Sequence, residues 1–155
     1  MKLLESEKDV WNKAIGLLAR REYSRLELRN KLKPLGEGVD AEQVLERLSE
    51  SGYQSDERFT DSFVRMRVGQ GHGLNRIRFD LKAKGIKSDM LEAILEQNEL
   101  DWFVLAAELY QRKYAFSKQN LDYKERAKRV RFMSQRGFTF DEIRYAEGEF
   151  EPEIR

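Results

Sequence analysis

The chain has 155 residues, 40% hydrophobic and 37% charged, with no cysteine and with Pro34 and Pro152 as its two prolines. This is enough apolar content for one domain or a short array of small units, and it excludes disulfides, cysteine nucleophiles and cysteine-based metal sites. The net charge is only +1, the N-terminal stretch mixes Lys2 and Lys8 with Glu5, Glu7 and Asp9 instead of opening as a signal peptide, and no apolar run approaches the roughly 18 residues of a membrane span, so a soluble, cytoplasmic monomer is expected.

Helical signals dominate from one end to the other. A first helix is expected over 7–20. Ser24 and Glu27 have the spacing of a capping box for a second over 24–33, which carries Leu28 and Leu32. Asp40 precedes Val44, Leu45 and Leu48 in a third (40–51), which stops at Gly52. Ser55 or Asp56 caps a fourth (56–69), whose Phe59, Phe63 and Met66 share one face. Leu74, Ile77 and Leu81 do the same in a fifth (74–84). Ser88 starts a sixth (88–99) ahead of Leu91, Ile94 and Leu95. In the seventh (101–115), Trp102, Leu105, Ala106 and Leu109 fall at i, i+3, i+4 and i+7. An eighth spans 121–136, with Ala127, Val130 and Met133 expected inward. Thr139 introduces a ninth (139–150) with Ile143 and Ala146.

The nine helices fall into threes. Leu81, Lys84, Gly85, Ile86, Asp89, Leu91 and Ile94 recur 52 positions later as Met133, Arg136, Gly137, Phe138, Asp141, Ile143 and Ala146. Each copy ends a helix on a basic residue and a glycine, places an apolar residue, and starts a new amphipathic helix. The first unit matches less closely, because Pro34–Asp40 makes a longer loop. The expected architecture is all-α: repeats over 1–54, 55–100 and 101–155, the last with an acidic tail, sharing a continuous core as helical repeat proteins do.

Charge is distributed in blocks. Residues 62–88 carry seven Lys/Arg against one acid, and 111–136 carry nine against two. Between them, 89–110 has six acids and no Lys or Arg. Two basic segments, each followed by an acidic one, suit a polyanion or an acidic protein surface, or simply pair with neighbouring helices. In the fifth helix Arg78 and Lys82 lie opposite the apolar face with Phe79 among them. In the eighth, Lys124, Lys128 and Arg131 face outward beside Phe132. Aromatic rings among cations fit nucleic acid, with bases on rings and phosphates on cations. The plainer reading, that Phe79 and Phe132 pack against the adjacent repeat, is preferred for the rings.

No catalytic constellation is visible. The one histidine, His72, sits in Gly69-Gln70-Gly71-His72-Gly73, which superficially matches a phosphate loop but lacks a preceding strand and a following Lys-Ser/Thr. It reads as a flexible turn, and a lone histidine is a poor metal ligand. Asp101 and the run Glu147, Glu149, Glu151 and Glu153 have no accompanying pocket, and the terminal acids read as solvated. Neither an enzyme nor a cofactor is expected.

Four segments in order resemble the RecX regulatory proteins. Ser51-Gly52-Tyr53-Gln54-Ser55-Asp56-Glu57-Arg58-Phe59 is similar to that family's junction between its first two units. Gly71-His72-Gly73-Leu74-Asn75-Arg76-Ile77-Arg78, with Leu81 and Lys84-Gly85-Ile86, resembles its most characteristic segment. Arg112-Lys113-Tyr114 and Arg136-Gly137-Phe138, with Asp141 and Ile143, resemble its third unit, and Arg20 and Arg21 before Ser24, Leu28 and Leu32 its first. Two residues depart from the pattern: Leu74 stands where proline is common, and Arg129 where an apolar residue is usual. The resemblance implies three tandem three-helix repeats in a curved, elongated molecule. It implies binding to the RecA recombinase and its filament on single-stranded DNA, limiting recombinase, ATPase and coprotease activities, and so a part in recombination, DNA repair and the SOS response. On that reading the candidate contacts are Arg76, Arg78, Lys82, Lys124, Lys128 and Arg131. The alternative is a general nucleic-acid-binding helical module without a dedicated protein partner.

Overall fold

The computed structural model describes residues 7–33, 39–115 and 121–150 (the side chains of 149 and 150 excepted), and over them the chain forms helices and no strand. In chain order these are α1 (Glu7–Leu18), α2 (Arg25–Leu32), α3 (Ala41–Glu50), α4 (Asp56–Gly69), α5 (Leu74–Ala83), α6 (Ser88–Asn98), α7 (Trp102–Tyr114), α8 (Tyr123–Gln135) and α9 (Phe140–Phe150). Most of the expected Pro34–Asp40 loop lies outside the described residues, as do Glu151 and Glu153 of the acidic tail. No described helix is long and apolar enough to cross a membrane.

Local chemistry explains where the helices begin. The first backbone N–H groups of a helix have no partner within it, so a side-chain oxygen just before the first turn satisfies them. Ser24 accepts from the Glu27 N–H while the Ser24 N–H donates to the Glu27 carboxylate, the reciprocal box the sequence predicted. Thr139 and Glu142 repeat it ahead of α9, at 3.2 and 2.8 Å. Asp40, Asp101 and Asp122 cap α3, α7 and α8. At α4 the cap is Ser55, whose oxygen accepts from the Arg58 N–H. The neighbouring Asp56 carboxylate instead accepts from the Arg25 N–H (2.8 Å) and the Gln54 amide (3.0 Å), tying the start of α4 to that of α2.

The repeat signature at the helix ends is structural. After α5, the Ile86 N–H reaches the Leu81 carbonyl and the Gly85 N–H the Lys82 carbonyl; after α8, Phe138 reaches Met133 and Gly137 reaches Ser134. Both glycines hold left-handed backbone, with φ of +81° and +105°, as this double-bonded helix end requires. The spacing of 52 residues therefore repeats one turn geometry as well as one residue pattern.

Contacts divide the chain into two compact units, Met1–Phe63 with Leu81–Ile94, and Val64–Asp80 with Leu95–Arg155. In the first, Val10, Ala14, Tyr23, Leu28, Leu32, Val44, Leu45 and Leu48 form a buried cluster. Each of the fully buried leucines there contributes about 1.5–3 kcal/mol relative to exposure. The start of α2 is further held by Lys84, whose ammonium lies 3.0 Å from the Glu27 carboxylate. Burial pushes that carboxyl up, but the Ser24 N–H, Lys84 and Arg21 outweigh it and hold Glu27 below the ordinary carboxylate range. In the second unit α7 packs along α9, and Ala106, Ala107, Leu109, Tyr110, Met133, Phe138, Ile143 and Ala146 are buried together.

Two side-chain expectations fail here. Ala127 is exposed, while Val130 is half-buried and packs against the core as expected; Arg129, not expected inside, is 2% exposed beside buried Met133. The inward side of α8 is rotated toward Arg129 because that guanidinium is accommodated inside. Its Nη1 donates to the Tyr110 hydroxyl at 3.0 Å, its Nε meets Glu125 at 3.1 Å, and its guanidinium carbon lies 4.2 Å from the centre of the Tyr114 ring. A buried cation is tolerable when it is paired and hydrogen-bonded in this way. Phe79 is 72% exposed, so it does not pack against a neighbouring repeat as expected. Phe132 packs, but within its own repeat and not against an adjacent one: edge-on to Tyr114 of α7 and against the core that α7, α8 and α9 share.

Candidate partner-binding site

The cations of α8 are sorted by their carboxylate neighbours. Arg126 makes a two-pronged pair with Glu147 at 2.9 and 3.0 Å, which raises the arginine further above its ordinary range. Glu147 is therefore a buried internal partner and not one of a solvated terminal run. Arg129 is consumed in the core. Lys124, Lys128 and Arg131 are exposed and make no ion pair among the described residues. They sit at successive steps of four and three along one helix, so about 10 Å of α8 carries a rail of three available charges.

The α5 candidates are more heterogeneous. Arg76 is exposed but engaged, 3.3 Å from the Asp80 carboxylate and within 3.4 Å of the Gln135 carbonyl. Arg78 is half-buried. Lys82 is exposed, in the other compact unit, with no ion pair among the described residues. Arg76 is thus brought against the C-terminal turn of α8, while Lys124 lies at the opposite end of that helix.

What joins α5 to α8 is a glycine-on-glycine junction. The Gly73 N–H donates to the Arg136 carbonyl at 2.7 Å and the Asn75 N–H to the Gly137 carbonyl at 3.0 Å. A Cβ on Gly73 would lie 2.6 Å from the Gly137 backbone, and one on Gly137 would lie 2.5 Å from the Arg76 backbone nitrogen. The segment read as a flexible turn is a turn, but its glycines serve close backbone approach. His72 is buried within it, and its Nδ1 has no hydrogen-bond partner among the described residues. Burial, then the charges of Arg67, Arg136 and Arg76, hold its imidazole below the ordinary range, opposed by Asp80.

Beside the α8 rail runs a cleft of about 590 Å³ between α8 and α9. Ala127 and Val130 line it together with Ser134 and Gln135, Arg126, Arg131 and Arg144 supply guanidiniums, and Tyr123 and Phe140 supply rings. Those rings are 88% and 61% exposed, and Arg144 stands 5.7 Å from the Phe140 ring centre. Sequence reasoning missed Tyr123, Phe140 and Arg144. The signal was a second stripe on α8, namely Tyr123, Ala127, Val130 and Ser134 at i, i+4, i+7 and i+11, which was taken in part for the core face.

Comparison with known proteins matches the chain in three successive segments. Residues 11–48, 55–95 and 99–146 match, in order, the descriptions "RecX, first three-helix domain", "RecX, second three-helix domain" and "RecX, third three-helix domain". The chain is 42% identical over 134 residues to the "Regulatory protein RecX" of Chromohalobacter salexigens, covering 86% of this chain and 87% of that one. It is 40% identical over 134 residues to that of Vibrio vulnificus, with the same coverage of 86% and 87%. Among solved structures, RecX from Lactobacillus salivarius aligns with a TM-score of 0.70 at 21% identity over 94% of this chain and 97% of that one. Another regulatory protein RecX aligns with a TM-score of 0.73 at 18% identity over 91% and 71%. At those identities the structures speak for the fold.

Proposed function

Because the chain belongs to the RecX family of regulatory proteins, we propose that it acts without catalysis on the RecA recombinase, binding RecA and its filament on single-stranded DNA. In this reading it inhibits recombinase, ATPase and coprotease activities in the cytoplasm, and so modulates recombination, DNA repair and the SOS response. The observation that carries the proposal is the ordered match of three family domains over most of the chain. The rail of Lys124, Lys128 and Arg131, left without carboxylates among the described residues, supports α8 as a contact helix. Arg78 and the exposed Phe79 offer a second contact on α5, Lys82 is a separate candidate in the other compact unit, and Arg76 is a weaker one because Asp80 already holds it. We assign the repeats to 1–54, 55–100 and 101–155.

The test is to add the protein substoichiometrically to RecA on single-stranded DNA. DNA-dependent ATP hydrolysis is expected to fall. Unchanged hydrolysis with unchanged filament length under the microscope would sink the proposal. The general nucleic-acid module is separated by salt. A dedicated filament partner stays on a preformed filament at salt that strips it from bare DNA, whereas a simple DNA binder leaves both together.

A further inference from the structure

The cleft between α8 and α9 has a chemistry narrower than "basic surface". Among its nine lining residues, Tyr123, Arg126, Ala127, Val130, Arg131, Ser134, Gln135, Phe140 and Arg144, there is no carboxylate. Arg126 is already committed to Glu147. Arg131 and Arg144 make no ion pair among the described residues, and they are left as guanidinium donors with two exposed rings and a small apolar floor.

A protein segment entering this cleft would bring backbone N–H groups that need acceptors, and the lining offers only the Ser134 and Gln135 oxygens and the Tyr123 hydroxyl. A nucleic-acid strand brings the opposite set. Its phosphates only accept, which suits guanidiniums, and its bases present faces that stack on rings without needing a particular hydrogen-bond pattern. The base must be unstacked from its neighbours to reach Tyr123 or Phe140, so a single strand fits where a duplex does not. The rail of Lys124, Lys128 and Arg131 runs beside the cleft, and its steps of four and three residues rise about 6 and 4.5 Å, a spacing on the scale of successive phosphates.

We propose that the α8–α9 cleft is a single-strand nucleic-acid subsite, in which unstacked bases lie on Tyr123 and on Phe140 and flanking phosphates are held by Arg131, Arg144 and the lysine rail. The proposal rests on the reading of α8 as a contact helix, but not on the recombinase being the partner.

The test titrates the full chain against a fluorescent 15-mer oligothymidylate and reads anisotropy from low to moderate salt. Tyr123→Ala and Phe140→Ala are expected to weaken binding about 5- to 100-fold each and to leave the salt dependence as it is, since neither ring neutralises a phosphate. Arg131→Ala and Arg144→Ala are expected to flatten the fall of log K with log salt by about 0.7 each. Tyr123→Phe keeps the ring and is expected to restore binding, and helical circular dichroism guards against misfolding in each variant. Failure of the wild-type chain to bind the oligonucleotide, or equal binding by the ring-deleted variants, overturns the subsite. Ring-deleted variants that lose action on the filament while holding the oligonucleotide normally also overturn it, and assign the cleft to a protein segment. If the subsite fails while ATP hydrolysis by RecA is still inhibited, the proposed function stands. If oligonucleotide binding depends on the rings but hydrolysis is untouched, the function fails and the subsite stands.

Discussion

Replacing Arg129 by leucine tests whether a buried cation has become part of the third domain's core. The substitution puts an apolar residue at a buried helix position, where helix patterning ordinarily places one, so pattern alone predicts a neutral or stabilising change. The structure predicts the reverse. Tyr110 is 1% exposed, and Arg129 donates to its hydroxyl at 3.0 Å. Losing that donor leaves a buried oxygen without it, at about 1–3 kcal/mol. The cation over Tyr114 at 4.2 Å adds about 0.5–2 kcal/mol. Glu125 is 37% exposed and recovers water, so its loss counts for little, within about 1 kcal/mol. Relief from holding a charge inside offsets part of this, leaving a net loss of about 1–3 kcal/mol. That corresponds to a midpoint lower by roughly 3–10 °C for a chain of this size. The decisive comparison adds Tyr110→Phe, alone and with Arg129→Leu, in urea titrations followed by helical circular dichroism. Because the double variant removes both partners, it should be less destabilised than the sum of the singles by about 1–2 kcal/mol. Strict additivity, or an Arg129→Leu chain at least as stable as wild type, would show that the arginine is merely tolerated.

Reversing Lys124, Lys128 and Arg131 to glutamate should weaken retention on the filament at least about tenfold, since each reversal turns an attraction to phosphate or acidic surface into repulsion. It should cost within about 0.5 kcal/mol of stability per site, so loss of helical dichroism would show the positions to be structural. Gly137→Ala should cost more than about 2 kcal/mol, because its φ is +105° and the new Cβ would lie 2.5 Å from the Arg76 nitrogen. Gly52→Ala has φ +81° but open space around it and should cost only about 1 kcal/mol, so equal losses in urea would refute the packing argument. The fold favours neutral His72, which lies among Arg67, Arg76 and Arg136 with Asp80 opposing, so protonation favours the unfolded chain. Stability from this group is complete above about pH 6.5 and is lost as pH falls through the lowered folded-state value. His72→Gln should flatten the decline in midpoint between about pH 7.5 and 5.5, and an unchanged slope would dismiss the histidine as its source.

The helices were legible because their signals are local. A capping oxygen, an apolar period and a terminal glycine each act within a few residues, and Ser24, the Trp102–Leu105–Ala106–Leu109 face of α7 and Gly137 illustrate one each. The candidate site was legible only in outline. Charge counting marked α8 as basic, but it does not separate Arg126, which meets a carboxylate 21 residues away, from Lys128, which meets none among the described residues. Likewise, the burial of Arg129 depends on Tyr110 and Tyr114 from another helix. Ala127 was read inward because it falls in helical phase with Val130 and Met133, yet helical phase alone does not distinguish a face that fills a core from one that lines a cleft. Phe79 misled in the opposite direction, since nothing in its own segment records that no neighbour covers it.

These misreadings share a physical cause that bears on how α8 works. Its cations are similar in sequence, but partners on α7 and α9 divide them into kinds. Glu147 fixes Arg126, and Tyr110 with Tyr114 fixes Arg129 within the core. Both therefore act as struts that set the rotation of α8 about its axis. That rotation puts Lys124, Lys128 and Arg131 on the solvent side and opens the Tyr123–Ala127–Ser134 stripe toward α9. An apolar residue at position 129 that rotated the helix would move the rail and the cleft lining together, at about 100° per residue of register. The buried arginine is then linked to function through geometry: Arg129→Leu should shift oligonucleotide binding only if it turns α8. A variant that loses stability but keeps the Tyr123-dependent affinity would show that the other α8 contacts, Met133 and the Arg126–Glu147 pair among them, hold the rotation on their own.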